Sequence, residues 1–190
     1  FSQLLTRAFP TALQEKRYPE AEQLLAYAEK LDVQQMRQLN YLDRLELFYF
    51  STVKNTEREK SAGYRIVNRV IYIPDDSIRR EDARQYEAFI TPFLNGQQDS
   101  TKFDGFSEDS KYMMHIYSNN IAATLYNVAS TFTTLPANET AALQDAVQWA
   151  ARSQQLDPSF KKYADSIITR LQQRLTPVPE TAEAAHDQGS

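Results

Sequence analysis

The sequence contains no cysteine, and this absence excludes several kinds of chemistry. Without thiols the chain cannot form disulfides, bind zinc through thiolates, use a cysteine nucleophile or carry out CxxC redox chemistry. Histidine is almost as scarce, because only His115 and His186 occur in 190 residues. A catalytic triad or a multi-histidine metal site cannot be assembled from that supply. We therefore predict no catalytic residue, no metal ligand and no cofactor in this chain.

Glycine, positive charge and long apolar runs are also in short supply. The four scattered glycines form no phosphate-binding or nucleophile-elbow motif. The chain has 21 Lys and Arg against 25 Asp and Glu, a net charge of −4, which is the wrong sign for binding phosphate backbones. No apolar run approaches the ~20 residues that span a bilayer, and the mean hydropathy is −0.59. We expect neither nucleic-acid binding nor membrane insertion.

Apolar residues recur with the 3.6-residue period of an α-helix along nearly the whole chain. Ala21, Leu24, Ala28 and Leu31 form one such stripe, and no segment shows a convincing period of two. The pattern predicts eight helices, at about 2–16, 19–32, 35–53, 56–73, 77–95, 110–133, 139–155 and 159–174. We expect a helical domain over residues 1–175 followed by a flexible tail over 176–190, in which residues 180–190 include almost no bulky apolar side chain.

Several helix boundaries carry their own signals. Thr56 and Glu59 have the spacing of a capping box, which predicts that a helix begins with Thr56 as its cap. Asn138 is the expected cap of a later helix, and Glu139 would complement that helix's dipole. Residues 99–110 are polar and aperiodic, which predicts a long loop.

Proline interrupts the helical pattern at two places. Pro10 and Pro92 each lie inside a predicted helix, where proline removes a backbone donor and favours a kink or an end. Pro74, in contrast, lies between two predicted helices and is expected to end the first.

An internal repeat links two distant parts of the chain. Tyr18-Pro19-Glu20-Ala21, Leu25, Ala28 and Leu31-Asp32 can be laid over Leu143-Gln144-Asp145-Ala146, Ala150, Ser153 and Leu156-Asp157-Pro158 with the same spacing. At these residues the chain resembles the tetratricopeptide (TPR) family. The resemblance implies an all-α, TPR-like right-handed α-α superhelix of about four helical hairpins. It also implies non-catalytic protein binding or scaffolding, because stacked hairpins form a concave surface.

A second resemblance covers about 117–165. Asn119-Asn120-Ile121-Ala122, Leu125-Tyr126, Trp149 and Tyr163-Ala164 are similar to the helical C-terminal segment that follows the thioredoxin-fold domain in some envelope proteins of Bacteroidetes-type bacteria. This resemblance implies a bacterial periplasmic or envelope location. It also implies an alternative function, in which the chain is the accessory helical domain of a thioredoxin-like redox protein whose CxxC domain lies outside this chain.

A protein or peptide is the expected partner, bound by the first helices of the hairpins. The candidate contact residues are Tyr41, Arg44, Phe48, Asn119, Asn120 and Tyr126. Two observations bear on this expectation and leave alternatives open. The basic stretch from Arg58 to Arg84 is either a salt-bridged helix surface or a clamp for an acidic peptide. The run Phe48-Tyr49-Phe50 is either buried between helix layers or has one face available to a partner.

Three chemical alternatives are weaker. His115 is expected to be structural or at the surface rather than a general base. The acidic residues of the loop at 99–110 include calcium-type oxygen donors, but their spacing does not follow an EF-hand, so a solvated acidic loop is the simpler interpretation. A hydrolase of novel type would need a deep pocket with convergent polar groups.

Overall fold

The computed structural model of the protein describes residues 2–31 and 41–176. Within these ranges the chain forms nine α-helices, two short 3₁₀ turns and no strand. The helices are α1 (Ser2–Gln14), α2 (Tyr18–Leu31), α3 (Tyr41–Thr52), α4 (Thr56–Asn68), α5 (Asp75–Leu94), α6 (Phe106–Met113), α7 (Ile116–Phe132), α8 (Thr140–Leu156) and α9 (Lys161–Leu175). The 3₁₀ turns are Ser100–Lys102 and Pro158–Phe160. The all-α class is confirmed, but the described residues form nine helices rather than the eight of about four predicted hairpins.

Two predictions concern residues that the structure does not describe. The expected start of a helix at 35 and nearly all of the predicted tail, from 177 to 190, lie outside the described residues. In the part of the chain that the structure does describe, no helix is both long enough and apolar enough to cross a membrane.

Two clusters of buried apolar side chains hold the helices together. The first joins α1, α2 and α3 and contains Phe9, Ala12, Leu13, Ala21, Leu25, Ala28, Leu42, Tyr49 and Phe50. The second is centred on α7 and α8, and α4, α5 and α9 pack around it. Helix α3 belongs to both clusters, because Tyr49 and Phe50 enter the first and Leu47 enters the second. Helix α3 therefore connects the two halves of the described chain.

The α1–α2 and α3–α4 hairpins turn in the same way. Lys16 and Lys54 occupy the left-handed region with φ values of 57° and 60°. The following amide then reaches back to the preceding helix: Arg17 donates to the Ala12 carbonyl at 2.7 Å and Asn55 donates to the Phe50 carbonyl at 2.9 Å. This pattern is a Schellman motif, which satisfies carbonyls that a helix end leaves free. The two hairpins thus share a local geometry that does not depend on glycine.

The predicted helix over 110–133 is wrong, because the structure divides it at Met114 and His115 into α6 and α7. The start of α7 is capped from a distant helix: Asp82 Oδ1 on α5 accepts the backbone N–H groups of Tyr117 at 2.8 Å and Ser118 at 3.2 Å. Asp82 is only 7 % exposed. The predicted loop over 99–110 is also shorter than expected, since α6 already begins at Phe106.

Replacing Asp82 tests this long-range cap. Asp82→Ala is expected to lower the free energy of unfolding by about 1–2 kcal/mol, because two buried N–H groups lose their acceptor. Asp82→Asn keeps an oxygen at the same place and should lose less than half as much. Urea denaturation of the two variants and the wild type measures the difference. Equal losses for Ala and Asn would contradict the capping role.

Three smaller boundary predictions are corrected by the structure. Helix α4 is capped by Asn55, whose side chain accepts the Arg58 N–H, and not by Thr56. Helix α8 starts at Thr140 with Glu139 at its cap position, one residue later than an Asn138 cap requires. Helix α1 continues past Pro10 to Gln14, so this proline does not end the helix, although it removes one backbone hydrogen bond.

Pro74 and Pro92 lie close to helix ends. Helix α4 ends at Asn68 rather than at 73, and Pro74 is the cap position of α5. Pro92 lies two residues before the end of α5 at Leu94. The prediction that Pro92 kinks or ends its helix agrees with this position.

Candidate functional site in the groove between α3 and α7

A buried ion-pair network fixes α3 against α4. Asp43 is completely buried and Glu46 is 5 % exposed. Asp43 accepts from Arg65 Nε at 2.8 Å and pairs with Arg69 Nη2 at 2.7 Å, while Glu46 pairs with Arg65. Buried carboxylates are stable only when such partners satisfy them. For this part of the basic stretch the salt-bridged surface is therefore the correct alternative, since Arg65 and Arg69 pair with carboxylates of the protein itself.

Arg44, the next residue on α3, has a different environment. It is exposed, and its Nη2 donates to Thr124 Oγ1 on α7 at 3.2 Å. Thr124 in turn donates to the Asn120 carbonyl at 2.8 Å. Among the described residues Arg44 pairs with no carboxylate, in contrast to Arg65 on α4 and Arg69 directly after it. The contact with Thr124 leaves most of the guanidinium donors available to another group.

The space beside Arg44 is a cavity of about 200 Å³ between α3, α4 and α7. Its floor is apolar and consists of Leu47, Ile66 and Val128, which are 6 %, 1 % and 2 % exposed. Its remaining lining residues are Arg44, Phe48, Thr124, Asn127 and Thr131. The cavity therefore combines an apolar floor, one cation and a polar rim without any carboxylate.

Phe48 stands at the edge of this cavity and is 56 % exposed, whereas Tyr49 and Phe50 beside it are 5 % and 6 % exposed. Both alternatives considered for the aromatic run therefore apply, each to different residues. Tyr49 and Phe50 are buried between helices, and Phe48 has a face available to a partner.

The structure brings some of the predicted contact residues together. Arg44 and Phe48 line the cavity, and Asn120 is exposed one turn before Thr124 on the same side of α7. Tyr41 lies apart from them, half-buried against the first core cluster.

The other two predicted contact residues lie on a different side of α7, against the segment that leads into α9. Asn119 donates to Asp157 at 2.7 Å. The ring of Tyr126 lies 5.5 Å from that of Phe160 and 6.3 Å from that of Tyr163, measured between centroids. These two side chains make internal contacts and do not line the groove.

Three groove residues were missed in the sequence, namely Thr124, Asn127 and Thr131. Together with Asn120 they follow one another at spacings of four, three and four residues, so they form a polar stripe on α7. That stripe is visible in the sequence. Its position opposite Arg44, however, depends on the packing of two helices about eighty residues apart.

A larger cavity of about 760 Å³ lies between α1 and α2, where its lining includes Arg7, Arg17, Glu20 and Tyr27. Arg17 already pairs with Glu15 at 2.7 Å and also with Glu20. The walls of this cavity are mostly exposed. Because Arg17 and Glu20 pair with each other and the walls are open to solvent, this cavity provides a weaker signal for a ligand than the smaller groove.

The arrangement of the acidic loop residues and of His115 gives little support to a metal site or to acid–base chemistry. Asp99 Oδ1 accepts from the N–H and hydroxyl of Thr101 at 3.0 and 2.7 Å, and these hydrogen bonds lower the pKa of its carboxyl. Residues 2–31 and 41–176 contain no group of three or more His, Asp or Glu side chains placed to hold a metal ion. His115 is exposed and occupies the cap position of α7.

The buried carboxyl of Glu59 on α4 makes no ion pair with any described residue. Glu59 is 2 % exposed and accepts a 3.0 Å hydrogen bond from Thr134, whose hydroxyl lies 3.1 Å from that of Ser51. Burial raises the pKa of Glu59, because it disfavours the charged form, and the hydroxyl contacts and Lys54 only partly oppose this effect.

This pKa shift predicts a pH dependence. Between the unfolded pKa and the raised folded pKa, the folded state binds more protons, so the contribution of Glu59 to stability falls as the pH rises through that window. Glu59→Gln should therefore raise the free energy of unfolding at pH 7, by on the order of 1 kcal/mol, and the gain should shrink towards pH 4. Denaturation at both pH values measures it. The exposed Glu57→Gln is the matched control, and a gain that is independent of pH would contradict the assignment.

The described fold and groove define a protein of packed α-helices with a small surface site lined by apolar and cationic groups. Comparisons with protein-family models, with curated proteins and with solved structures find no match to this chain.

Proposed function

We propose that this protein is a non-catalytic protein-binding module of the tetratricopeptide-like type and that the groove between α3 and α7 is its peptide site. The observation that carries the proposal is the environment of Arg44. This guanidinium has no carboxylate partner among the described residues and stands beside an apolar cavity and the half-exposed ring of Phe48.

The chemistry of the groove specifies the ligand. A guanidinium binds a carboxylate through paired, charge-assisted hydrogen bonds, and Thr124 holds one edge of Arg44 in place for that contact. A cavity of about 200 Å³ accommodates one apolar side chain. We therefore infer a peptide that presents an acidic group next to an apolar side chain. The hydroxyl and amide groups of Thr124, Asn127 and Thr131 would bind its backbone.

The tetratricopeptide-like assignment is supported by the hairpins rather than by the groove. The α1–α2 and α3–α4 turns share the same left-handed lysine and the same backward hydrogen bond, which is compatible with successive copies of one helical unit but is also a common way for helices to end. In such arrays the binding residues vary without disturbing the packing between helices.

A peptide selection with a matched counter-selection tests the proposal. Random 12-residue peptides are selected on the wild-type protein after depletion on the double variant Arg44→Ala/Phe48→Ala. We expect enrichment of sequences in which Asp or Glu neighbours Leu, Ile or Phe. A synthetic representative should bind at least about tenfold more weakly to Arg44→Ala, because the loss of one charged contact costs about 1.4 kcal/mol or more.

Two substitutions outside the groove serve as controls. Arg80 and Tyr72 are exposed, and neither lines the cavity, so Arg80→Ala and Tyr72→Ala should leave the affinity unchanged. The proposal fails if no sequence family is enriched, or if the selected peptides bind the double variant as well as the wild type.

A further inference from the structure

A second surface, separate from the groove, consists of four phenylalanines that contact one another. Phe89 and Phe93 lie on α5, Phe103 lies in the following loop, and Phe106 begins α6. The centroids of Phe93 and Phe106 are 4.6 Å apart, and those of Phe93 and Phe103 are 5.6 Å apart. We call these four residues the phenylalanine cluster.

The phenylalanine cluster lies outside both core clusters of the protein. None of its four rings is fully buried, Phe103 is 40 % exposed, and the adjacent Leu94 is 77 % exposed. Exposed aromatic residues that gather in one place are typical of interaction surfaces rather than of ordinary protein surface.

The position of the cluster explains why these rings remain exposed. Helix α5 has 20 residues, and its buried residues, Ile78 and Asp82, both lie in its first half. The second half of α5 packs against α6, so it extends beyond the main core. The rings therefore cover one another where α5 meets α6, and none of them belongs to the apolar clusters of the core.

The charge around the phenylalanine cluster indicates the chemistry of its partner. Residues 99–109 contain four carboxylates, Asp99, Asp104, Glu108 and Asp109, against one lysine, Lys102. Lys102 lies 3.4 Å from Asp99, and no cation pairs with the other three carboxylates within the described ranges. Glu108 and Asp109 also complement the dipole of α6, but Asp104, next to Phe103, has no such role.

We propose that the phenylalanine cluster is a docking site for an arginine-containing apolar segment of another protein. A guanidinium can stack on a phenylalanine ring while it pairs with a neighbouring carboxylate. The protein already contains such a stack, because the Arg58 guanidinium carbon lies 4.5 Å from the ring centroid of Phe50. The surrounding carboxylates disfavour an anionic membrane surface, which they would repel.

Labelled synthetic peptides test this proposal directly. An octapeptide of alternating Leu and Arg is titrated with the full chain, and the fluorescence anisotropy is followed. Matched octapeptides of Leu with Lys and of Leu with the uncharged Gln serve as comparisons. We expect the Arg peptide to bind with a Kd of roughly 10–100 µM, the Lys peptide several-fold more weakly and the Gln peptide more weakly still.

Variants locate the binding on the surface. Phe103→Ala should weaken the binding of the Arg peptide at least about fivefold. The double variant Asp104→Asn/Glu108→Gln should also weaken this binding and reduce its dependence on salt concentration. Phe103 and the two carboxylates are exposed, so these changes spare the core. Phe48→Ala and Glu57→Gln, at an exposed ring and an exposed carboxylate elsewhere, should have no effect. These controls also separate this surface from the α3–α7 groove.

Several results would overturn the proposal. These are equal binding of the Gln and Arg peptides, no binding of the Arg peptide at millimolar concentration, and equal weakening of the Arg peptide's binding by Phe48→Ala and Phe103→Ala. Self-association in ultracentrifugation that Phe103→Ala abolishes would instead identify a second copy as the occupant. Sedimentation of the wild type, but not of Phe103→Ala, with phosphatidylserine vesicles would identify a membrane.

Discussion

Adding one methyl group at position 63 is expected to destabilise the protein. Gly63 lies on α4 where this helix meets α7, and a Cβ atom there would lie 2.4 Å from Phe132 Cε1 and 2.6 Å from Phe132 Cζ. Contacts this short require one of the two groups to move. The available space therefore explains why a helix contains glycine at this position, where alanine would otherwise form the better helix.

The ring of Phe132 has little freedom to move away. It is completely buried, and its centroid lies 5.9 Å from that of Tyr64 and 5.2 Å from that of Trp149. Tyr64 is itself held by a 2.6 Å hydrogen bond from its hydroxyl to Asp145 on α8. Displacing Phe132 would disturb the packing of α4, α7 and α8 together.

Gly63→Ala is expected to lower the free energy of unfolding by about 1–2 kcal/mol, after the gain of up to about 1 kcal/mol from helix propensity is subtracted. Gly63→Val should cost about 3 kcal/mol or more, since it adds two further carbon atoms. Urea denaturation measures both. Ala83→Gly, at an exposed position of α5, measures the difference in helix propensity between alanine and glycine on its own.

A double variant separates overpacking from other causes. Phe132→Leu removes the ring atoms that a Cβ at position 63 would meet, so Gly63→Ala should cost at least 1 kcal/mol less in that background. The same cost in both backgrounds would show that the close approach of α4 and α7 is not its source.

Neutralising Asp43 is expected to have the largest effect among the charged residues. Asp43 is completely buried and receives two guanidinium groups, from Arg65 at 2.8 Å and Arg69 at 2.7 Å. Asp43→Asn removes the charge that both arginines share and leaves them close together. We expect a loss of about 2–4 kcal/mol, at the lower end of the range for broken buried pairs, because both arginines are partly exposed.

An exposed ion pair provides the matched control. Asp76 pairs with Arg79 on α5, and the two side chains are 82 % and 71 % exposed. Asp76→Asn should change the free energy of unfolding by less than about 0.5 kcal/mol. A comparable loss in both variants, measured by denaturation at pH 7, would contradict the structural role of Asp43.

The two results together bear on the candidate groove. Asp43 and Arg44 are adjacent on α3, and the network around Asp43 sets the rotation of this helix against α4. That rotation directs Arg44 towards Thr124 on α7. The groove thus depends on a neighbouring buried network that takes no part in contacts with a ligand, and Gly63 allows the approach of α4 and α7 on which its floor rests.

Periodicity in the sequence was sufficient for the all-α class and for the approximate extent of most helices. Helix α8 was predicted at 139–155 and lies at Thr140–Leu156, because a helix depends mainly on hydrogen bonds between residues four positions apart and on the spacing of its apolar face. The turn at Lys54 and the cap at Asn55 were not anticipated, since several nearby polar residues could serve as the cap.

Only the tertiary structure decided where distant residues meet. The division between α6 and α7 depends on the carboxylate of Asp82, about 35 residues earlier, and the groove depends on a contact between Arg44 and Thr124, 80 positions apart. Separations of this kind leave no period in the sequence, because each partner is compatible with its own helix whether or not the other is near. Local pattern therefore determined which segments became helical, and packing determined which of their polar groups were satisfied internally and which remained available to a partner.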